Sequence, residues 1–461
     1  MSFKKFPVEP FKIKAVEKIK LTTPEEREEL LRQVGYNVFA LPAEKVFIDL
    51  LTDSGTAAMS DRQWSRMIIG DEAYSGSQSF FHFEKVIRQI FGYKHVIPAH
   101  QGRAAERLLF EALVKEGTYI ANNIHFDTTR ANVEIRRGVA VDLSWDEAYD
   151  PDSPELFKGN MDVNRLDNFL REKGRERVPC VMITVTNNSA GGQPVSMANI
   201  KAVSQVCRKY KVPLYFDACR FAENAYFIRQ WEPGYQSKSV LEIAQEMFSY
   251  GDGATMSAKK DALVNIGGFV TLNDDSLAEE LKNLLIISEG FPTYGGLAGR
   301  DLEAIAQGLM EGVDEDYLEY RVGQVNYLAQ LLTDAGIPVY QPPGGHAVYV
   351  LADRFLAHLP REQYPAWALS VALYREAGIR ACEIGGVMFG YRDQQTGKMV
   401  FPRLELLRLA IPRRVYTLSH LHYIAEAFAC LAQKRETIKG FRIVYQAPYL
   451  RHFTAKMEEV S

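Results

Sequence analysis

The chain has 461 residues, more than one hydrophobic core usually serves, so two domains are expected. Its composition is that of an ordinary globular protein, 47% hydrophobic and 24% charged, and a formal net charge of −4 gives no ground for nucleic acid or an acidic membrane surface as partner. Five scattered cysteines (Cys180, Cys207, Cys219, Cys382 and Cys430), none in a CxxC pair, argue against a disulfide frame or a zinc site and for reduced thiols in a cytoplasmic protein.

No window approaches about 18 uninterrupted apolar residues, so no transmembrane helix is expected. The first residues carry no apolar core, so no signal peptide is expected either. The N-terminal stretch is basic and punctuated by prolines, and reads as an arm. His82 to Phe91 has helical spacing, Lys94 to Ala99 reads as a short strand, and Arg103 to Lys115 as an amphipathic helix with Leu108, Leu109 and Leu113 toward the core. Tyr119 to Ala121 and Val139 to Leu143 read as strands. Val178 to Thr186 is an apolar run of the kind buried on both faces of a parallel sheet. A helix over Ala198 to Tyr210 and a second buried strand over Val212 to Phe216 follow. This alternation implies βαβ units and a mostly parallel sheet. Beyond about residue 300 the texture changes: helices over Ala304 to Met310 and Leu318 to Ala335, a turn at Pro342-Pro343-Gly344-Gly345, and short strands over Ala347 to Leu351 and Leu406 to Ile411. That is the pattern of a smaller α+β domain.

Met256-Ser257-Ala258-Lys259-Lys260-Asp261 has two adjacent lysines before an apolar, glycine-ended run (Ala262 to Gly268). A lysine beside a second cation in apolar surroundings has a depressed pKa, the condition for a Schiff-base amine near neutral pH; a solvated basic pair is the plain alternative. Asp217 ends the run Val212 to Phe216, at the sheet edge where ligands bind, and can face a protonated pyridine nitrogen or simply cap a turn. Arg220 follows as a cofactor contact or a surface ion-pair residue. Gln101-Gly102-Arg103 sits between a strand and a helix, as a phosphate cradle or a plain connecting turn, with Ser257 able to add a hydroxyl. Arg408 shares a strand face with Leu404 and Leu406, which suits a clamp for a substrate carboxylate or a structural salt bridge. No GxGxxG or GxxxxGK[ST] is present, so a dinucleotide or nucleotide-triphosphate site is disfavoured.

Longer motifs accompany these residues: Leu50-Leu-Thr-Asp-Ser-Gly-Thr56, Gly70-Asp-Glu-Ala-Tyr-Ser-Gly-Ser77, His100-Gln-Gly-Arg103, Ala190-Gly-Gly-Gln-Pro-Val-Ser196, Glu223-Asn-Ala-Tyr-Phe227, Pro292-Thr-Tyr-Gly-Gly-Leu297 and Ile411-Pro-Arg-Arg-Val-Tyr416. With them the chain resembles the β-eliminating lyase family over essentially its whole length, to Phe453-Thr-Ala-Lys456. The resemblance implies an α/β, type I (aspartate-aminotransferase-like) pyridoxal 5'-phosphate (PLP) fold, with residues 1–18 as an arm, 59–310 as the large PLP-binding domain, and 19–58 with 311–461 as the small α+β domain. It implies Lys260 as Schiff-base lysine and base, Asp217 on the pyridinium and Arg220 on the phenolic oxygen. Gln101, Gly102, Arg103 and Ser257 would hold the phosphate, and Phe126 would stack on the ring, with Tyr294 at the same, subunit-shared site. Arg408, Thr52, Ser54 and Asn188 would hold the amino-acid substrate. Tyr74 would be a general acid reaching in from a neighbouring subunit of a homotetramer. A potassium ion would be held by Glu72 and the carbonyls of Gly55 and Asn265.

The family's branches differ in the leaving group, indole or phenol. Asp127, Ile384 and His452 follow the indole-releasing pattern; the phenol-releasing branch has threonine, arginine and phenylalanine there. An indole offers one N–H that a carboxylate accepts, whereas a phenol leaving as an oxyanion wants an arginine, and a buried polar mismatch discriminates by about 10⁴-fold. A capping Asp127, a core Ile384 and a hydrogen-bonded structural His452 are the plain readings. The rivals are a phenol-releasing or broader cysteine/serine β-lyase, and a catalytically silent binding protein on the same fold.

Overall fold

The structure, a computed structural model, describes residues 6–393 and 396–460. Residues 1–5 of the expected arm lie outside the described residues; from Phe6 to Thr23 the chain forms no helix or strand. The chain divides into two compact units. One comprises residues up to Asp53, Pro151–Pro154 and the chain from Val322 on; the other comprises Ser54–Asp150 and Glu155–Arg321.

The larger unit is built on a seven-stranded sheet. Its spatial order is His95–Ala99, Gly268–Leu272, Gly253–Ser257, Leu214–Asp217, Cys180–Thr184, Tyr119–Asn122 and Val139–Asp142. The last five pair in parallel, and Gly268–Leu272 runs antiparallel to both of its neighbours. The strand expected over Val178 to Thr186 is shorter, Cys180–Thr184, because Pro179 has no N–H to give the ladder. Pro98 is tolerated in His95–Ala99 because that strand lies at the sheet edge. The apolar run Ala262 to Val264 is a buried turn; the strand begins only at Gly268. Helices cover the sheet. Gln78–Phe91 starts on the Ser77 cap and ends at the left-handed Gly92, and Met197–Tyr210 starts on the Ser196 cap. Gly102–Leu113 buries Leu108, Leu109 and Phe110 against Ile97, Met182 and Val270.

The division falls at Asp53/Ser54 and Arg321/Val322, where the sequence reading places boundaries at 58/59 and 310/311. The helix Gly299–Gly312 stays with the larger unit because it packs closely on the lysine-bearing turn: a Cβ on Gly312 would sit 2.1 Å from the Asp261 carbonyl oxygen. Arg321 stays because its Nε donates to Glu223 at 3.0 Å, with both side chains buried.

The smaller unit has a four-stranded sheet in the order Ile48–Leu50, Ile379–Ile384, Leu406–Ala410 and Ala347–Leu351. The first pair is parallel and the others antiparallel, and Arg408 sits opposite both Cys382 and Tyr349. The helices Pro365–Ala377 and Leu418–Gln433 bury Trp367, Leu373, Ile424 and Phe428 in its core.

Candidate active site

Parallel strands present their carboxyl ends on one edge of a sheet, and ligands bind there. In the larger unit that edge carries Asp217, the last residue of its strand, 5% exposed. The Cys219 thiol donates to Asp217 Oδ1 at 2.8 Å; burial first, and then the Asp217 charge, push that thiol up to about 12. Lys260 lies in the turn after Gly253–Ser257. The next residue anchors this turn: the Asp261 carboxylate accepts the Ala222 N–H at 2.8 Å, at the start of the helix Phe221–Trp231. The Arg220 N–H donates to the Val185 carbonyl. The turn after Leu214–Asp217 and the turn that carries Lys260 are thus bound together.

Burial first, then the charges of Lys260 and Arg103, hold the Lys259 ammonium below its ordinary value. Lys259 Nζ donates to Gln101 Oε1 at 3.2 Å, and Gln101 Nε2 lies 2.9 Å from His100 Nε2, whose Nδ1 pairs with Glu289. Gln101 precedes the helix Gly102–Leu113, whose N-terminus no side chain caps. Gly102 is required there by contact: a Cβ would sit 2.4 Å from Ser257 Cβ. Gly268 is pressed equally, its Cβ falling 2.6 Å from the Gln101 carbonyl carbon. Gln101, Gly102 and Ser257 therefore form one close-packed turn, with Arg103 exposed beside it.

Phe126, half-buried, precedes the helix Asp127–Glu134. Asp127 Oδ1 accepts the Thr128 N–H at 2.6 Å, while the helix N-cap is Phe126, with no side-chain cap. The preceding loop is fastened by His125, whose Nδ1 lies 2.6 Å from Asp142 Oδ1. Burial works to raise the Asp142 carboxyl, but His125 and Arg130 hold it below its ordinary value. Asn188 is buried in the neighbouring loop, where Ser189 Oγ donates to the His125 carbonyl at 3.2 Å.

Of the remaining expected residues, Gly55 meets this cluster directly, its N–H donating to the Lys259 carbonyl at 2.7 Å. Tyr74 is 71% exposed, its ring 5.3 Å from that of Tyr294, and hydrogen bonding to Tyr294 holds its hydroxyl above the ordinary value. Gly55 O accepts from Asn265 Nδ2 at 3.0 Å, and Glu72 pairs with Arg300 at 3.1 Å; both oxygens keep lone pairs. Ser54, half-buried, opens the larger unit. Thr52, Arg408, Ile384 and His452 belong to the smaller unit. There Arg408 Nη2 donates to the Leu51 carbonyl at 2.9 Å. Ile384 is 2% exposed in an apolar cluster with Tyr349, Leu351 and Leu406, and His452 is 1% exposed beside Phe39 and Phe453.

Sequence reasoning missed Glu106, Cys219, His125, Asp142 and Asp261. Only Glu106 leaves a readable trace: a charge one helical turn after Gly102, on the stripe shared with Ala105 and Leu109.

Residues 49–427 match the beta-eliminating lyase family. A tryptophanase from Salinibacter ruber is 55% identical over 450 residues, covering 98% of this chain and 95% of its own. A tyrosine phenol-lyase from Symbiobacterium thermophilum is 52% identical over 453 residues, covering 98% of this chain and 99% of its own. Among solved structures, a serine palmitoyltransferase from Sphingomonas wittichii superposes with a TM-score of 0.57 at 14% identity, covering 90% of this chain and 97% of that one. The fold is that of the type I PLP enzymes. The chain belongs to the beta-eliminating lyase family. It is a carbon–carbon lyase of the PLP-dependent class.

The larger unit fits that cofactor. An uncapped helix N-terminus over glycine-tight backbone suits a phosphate, and a buried carboxylate at a strand end suits a pyridinium. Beside Asp217, Thr255 Oγ1 is buried without a hydrogen-bond partner, an unsatisfied polar atom on the same edge. No described helix is long and apolar enough to cross a membrane, and no group of three or more His, Cys, Asp or Glu among the described residues could hold a metal.

Proposed function

We propose that the protein cleaves L-tryptophan, with water, to indole, pyruvate and ammonia. The observation that carries this reading is the Asp127 carboxylate, 7% exposed and next to Phe126. A buried acceptor beside a ring platform suits an N–H-bearing leaving group and repels an oxyanion. Ile384, an apolar side chain where a phenol would want a cation, supports the same choice.

In this proposal Gln101, Gly102, Arg103 and Ser257 hold the cofactor phosphate, Phe126 and Tyr294 flank its ring, and Arg220 meets its phenolic oxygen. Asp217 keeps the pyridine nitrogen protonated. Bound PLP supplies an electron sink for the pair released when the substrate Cα–H bond breaks. Lys260 carries the cofactor at rest and then takes the Cα proton through its freed amine. Arg408, with Thr52, Ser54 and Asn188, clamps the substrate carboxylate. Tyr74, contributed by a neighbouring subunit of a homotetramer, delivers the proton to indole C3 that makes the ring a leaving group. The hydrogen bond with Tyr294 holds its hydroxyl above the ordinary value. Asp127 accepts the indole N–H, and His452 and Ile384 border the ring. Glu72 and the carbonyls of Gly55 and Asn265 form an all-oxygen donor set that suits potassium, a hard cation. The five free cysteines support a cytoplasmic location.

The test is release of indole and of phenol measured side by side on tryptophan and tyrosine, with and without potassium. Indole from tryptophan should exceed phenol from tyrosine by orders of magnitude. The reverse order would refute the assignment and favour the phenol-releasing reading, for which the 52% identical relative stands.

A further inference from the structure

Glu106 has no part in the roles above, yet it is a buried carboxyl at the centre of the larger unit. It is 6% exposed and lies one turn into the helix that opens at Gly102. Its two oxygens receive two successive hydroxyls from another helix: Thr128 Oγ1 at 2.9 Å to Oε2, and Thr129 Oγ1 at 2.6 Å to Oε1. Thr128 and Thr129 are themselves buried, at 8% and 0% exposure, and directly follow Phe126 and Asp127. One carboxyl therefore joins the phosphate-cradle helix to the first turn of the ring-platform helix. Nearer the surface Arg136, just past the second helix, donates to the Arg107 carbonyl at 3.4 Å and to Glu111 at 3.5 Å.

We propose that Glu106 is a positioning residue: by gripping Thr128 and Thr129 it fixes where Phe126 and Asp127 stand relative to the Gly102 cradle. The inference rests on the PLP reading of that cradle. Four residues separate Glu106 from Gly102, about 6 Å along the helix axis, so a tilt at one end is transmitted to the other. Both hydroxyls can rotate, and the carboxyl meets them in either protonation state. Burial, and then the Asp217 charge, raise the Glu106 carboxyl to about 7, against the Thr129 and Thr128 hydroxyls and Lys260. Near neutral pH about half of the groups are thus protonated, and glutamine is a near isostere of that neutral form.

The experiment uses protein stripped of PLP and titrated with PLP, with affinity read from the visible absorbance and ring orientation from the visible circular dichroism. Thermal midpoints are measured in parallel. Glu106→Ala should weaken PLP affinity by on the order of tenfold, the worth of about one buried hydrogen bond, and change the circular dichroism of the cofactor that remains bound. Glu106→Gln should restore both. If Glu106→Ala does not fold, Thr129→Val removes a single hydroxyl and should show a smaller change of the same kind. An unchanged affinity and dichroism in the variant that folds, or a lowered thermal midpoint with an unchanged cofactor signal, would overturn the proposal and leave a merely structural carboxyl. A wild-type protein that takes up no PLP would overturn the cofactor reading and this inference with it.

Discussion

Gly102→Ala is the sharpest test of the cradle. A Cβ there would lie 2.4 Å from Ser257 Cβ and 3.0 Å from Ser257 Cα, well inside the roughly 3.5–4.0 Å at which carbon atoms attract. Ser257 is the last residue of a central strand and is held in place by its pairing with Gly268, beside that of Met256 with Phe269. Overpacking of this kind costs about 1–3 kcal/mol. Alanine favours a helix over glycine by only about 0.5–1 kcal/mol, so the clash should win. PLP affinity should fall by roughly 5- to 150-fold in a spectral titration of protein stripped of cofactor. Ser257→Gly removes the atom at 2.4 Å, so the double variant should lose less affinity than the two single losses added together. Gly117→Ala, a position with nothing within 4 Å, should leave PLP affinity unchanged. Wild-type affinity in Gly102→Ala, or strict additivity in the cycle, would show that the phosphate does not sit here.

Glu223→Ala should destabilise the fold by about 3–5 kcal/mol in denaturant melts, because it removes one partner of a buried ion pair with Arg321; a loss below about 1 kcal/mol would refute that account. Burial, and then repulsion from Glu405, raise the Glu383 carboxyl from 4.5 to about 8. The folded chain therefore binds more protons than the unfolded one between those values, and stability should fall as pH rises through this window. Glu383→Gln cannot ionise, so its stability relative to wild type should climb between about pH 4.5 and 8 and then level off; a flat difference would exclude the carboxyl as the cause. Asp261→Ala frees the Ala222 N–H from its 2.8 Å acceptor and loosens the Lys260 turn. Turnover should drop while PLP affinity changes little, and equal losses in both would contradict that division.

The sheet was legible where burial and periodicity coincide. Leu214–Asp217 and Cys180–Thr184 announce themselves as apolar runs, and Asp217 marks an end because a lone carboxylate follows the run Val212 to Phe216. Gln101-Gly102-Arg103 follows a strand and opens a helix, legible for the same reason. Periodicity says which side of an element is buried, but not what it meets. Hence the pairs Glu106 with Thr129, His125 with Asp142, and Asp261 with Ala222 were invisible. The antiparallel course of Gly268–Leu272 was also hidden, since an apolar run carries no direction. Tyr74 shows a third kind of limit: its exposure is a property of one chain, and the sequence motif that names it is silent on what covers it.

The edge strand His95–Ala99 pairs along its length with Gly268–Leu272, residues about 170 positions later in the chain. A ribosome adding about 5–20 residues per second needs roughly 10–35 s to bridge that interval. Until then the nascent strand has no partner, and the Gln101–Gly267 bridge that closes the cradle cannot form. The cradle is thus completed late in synthesis, after the parallel strands between are already made. Pro98, inside that waiting strand, lacks the N–H that a stray edge would seize, which guards the half-made chain against the wrong neighbour.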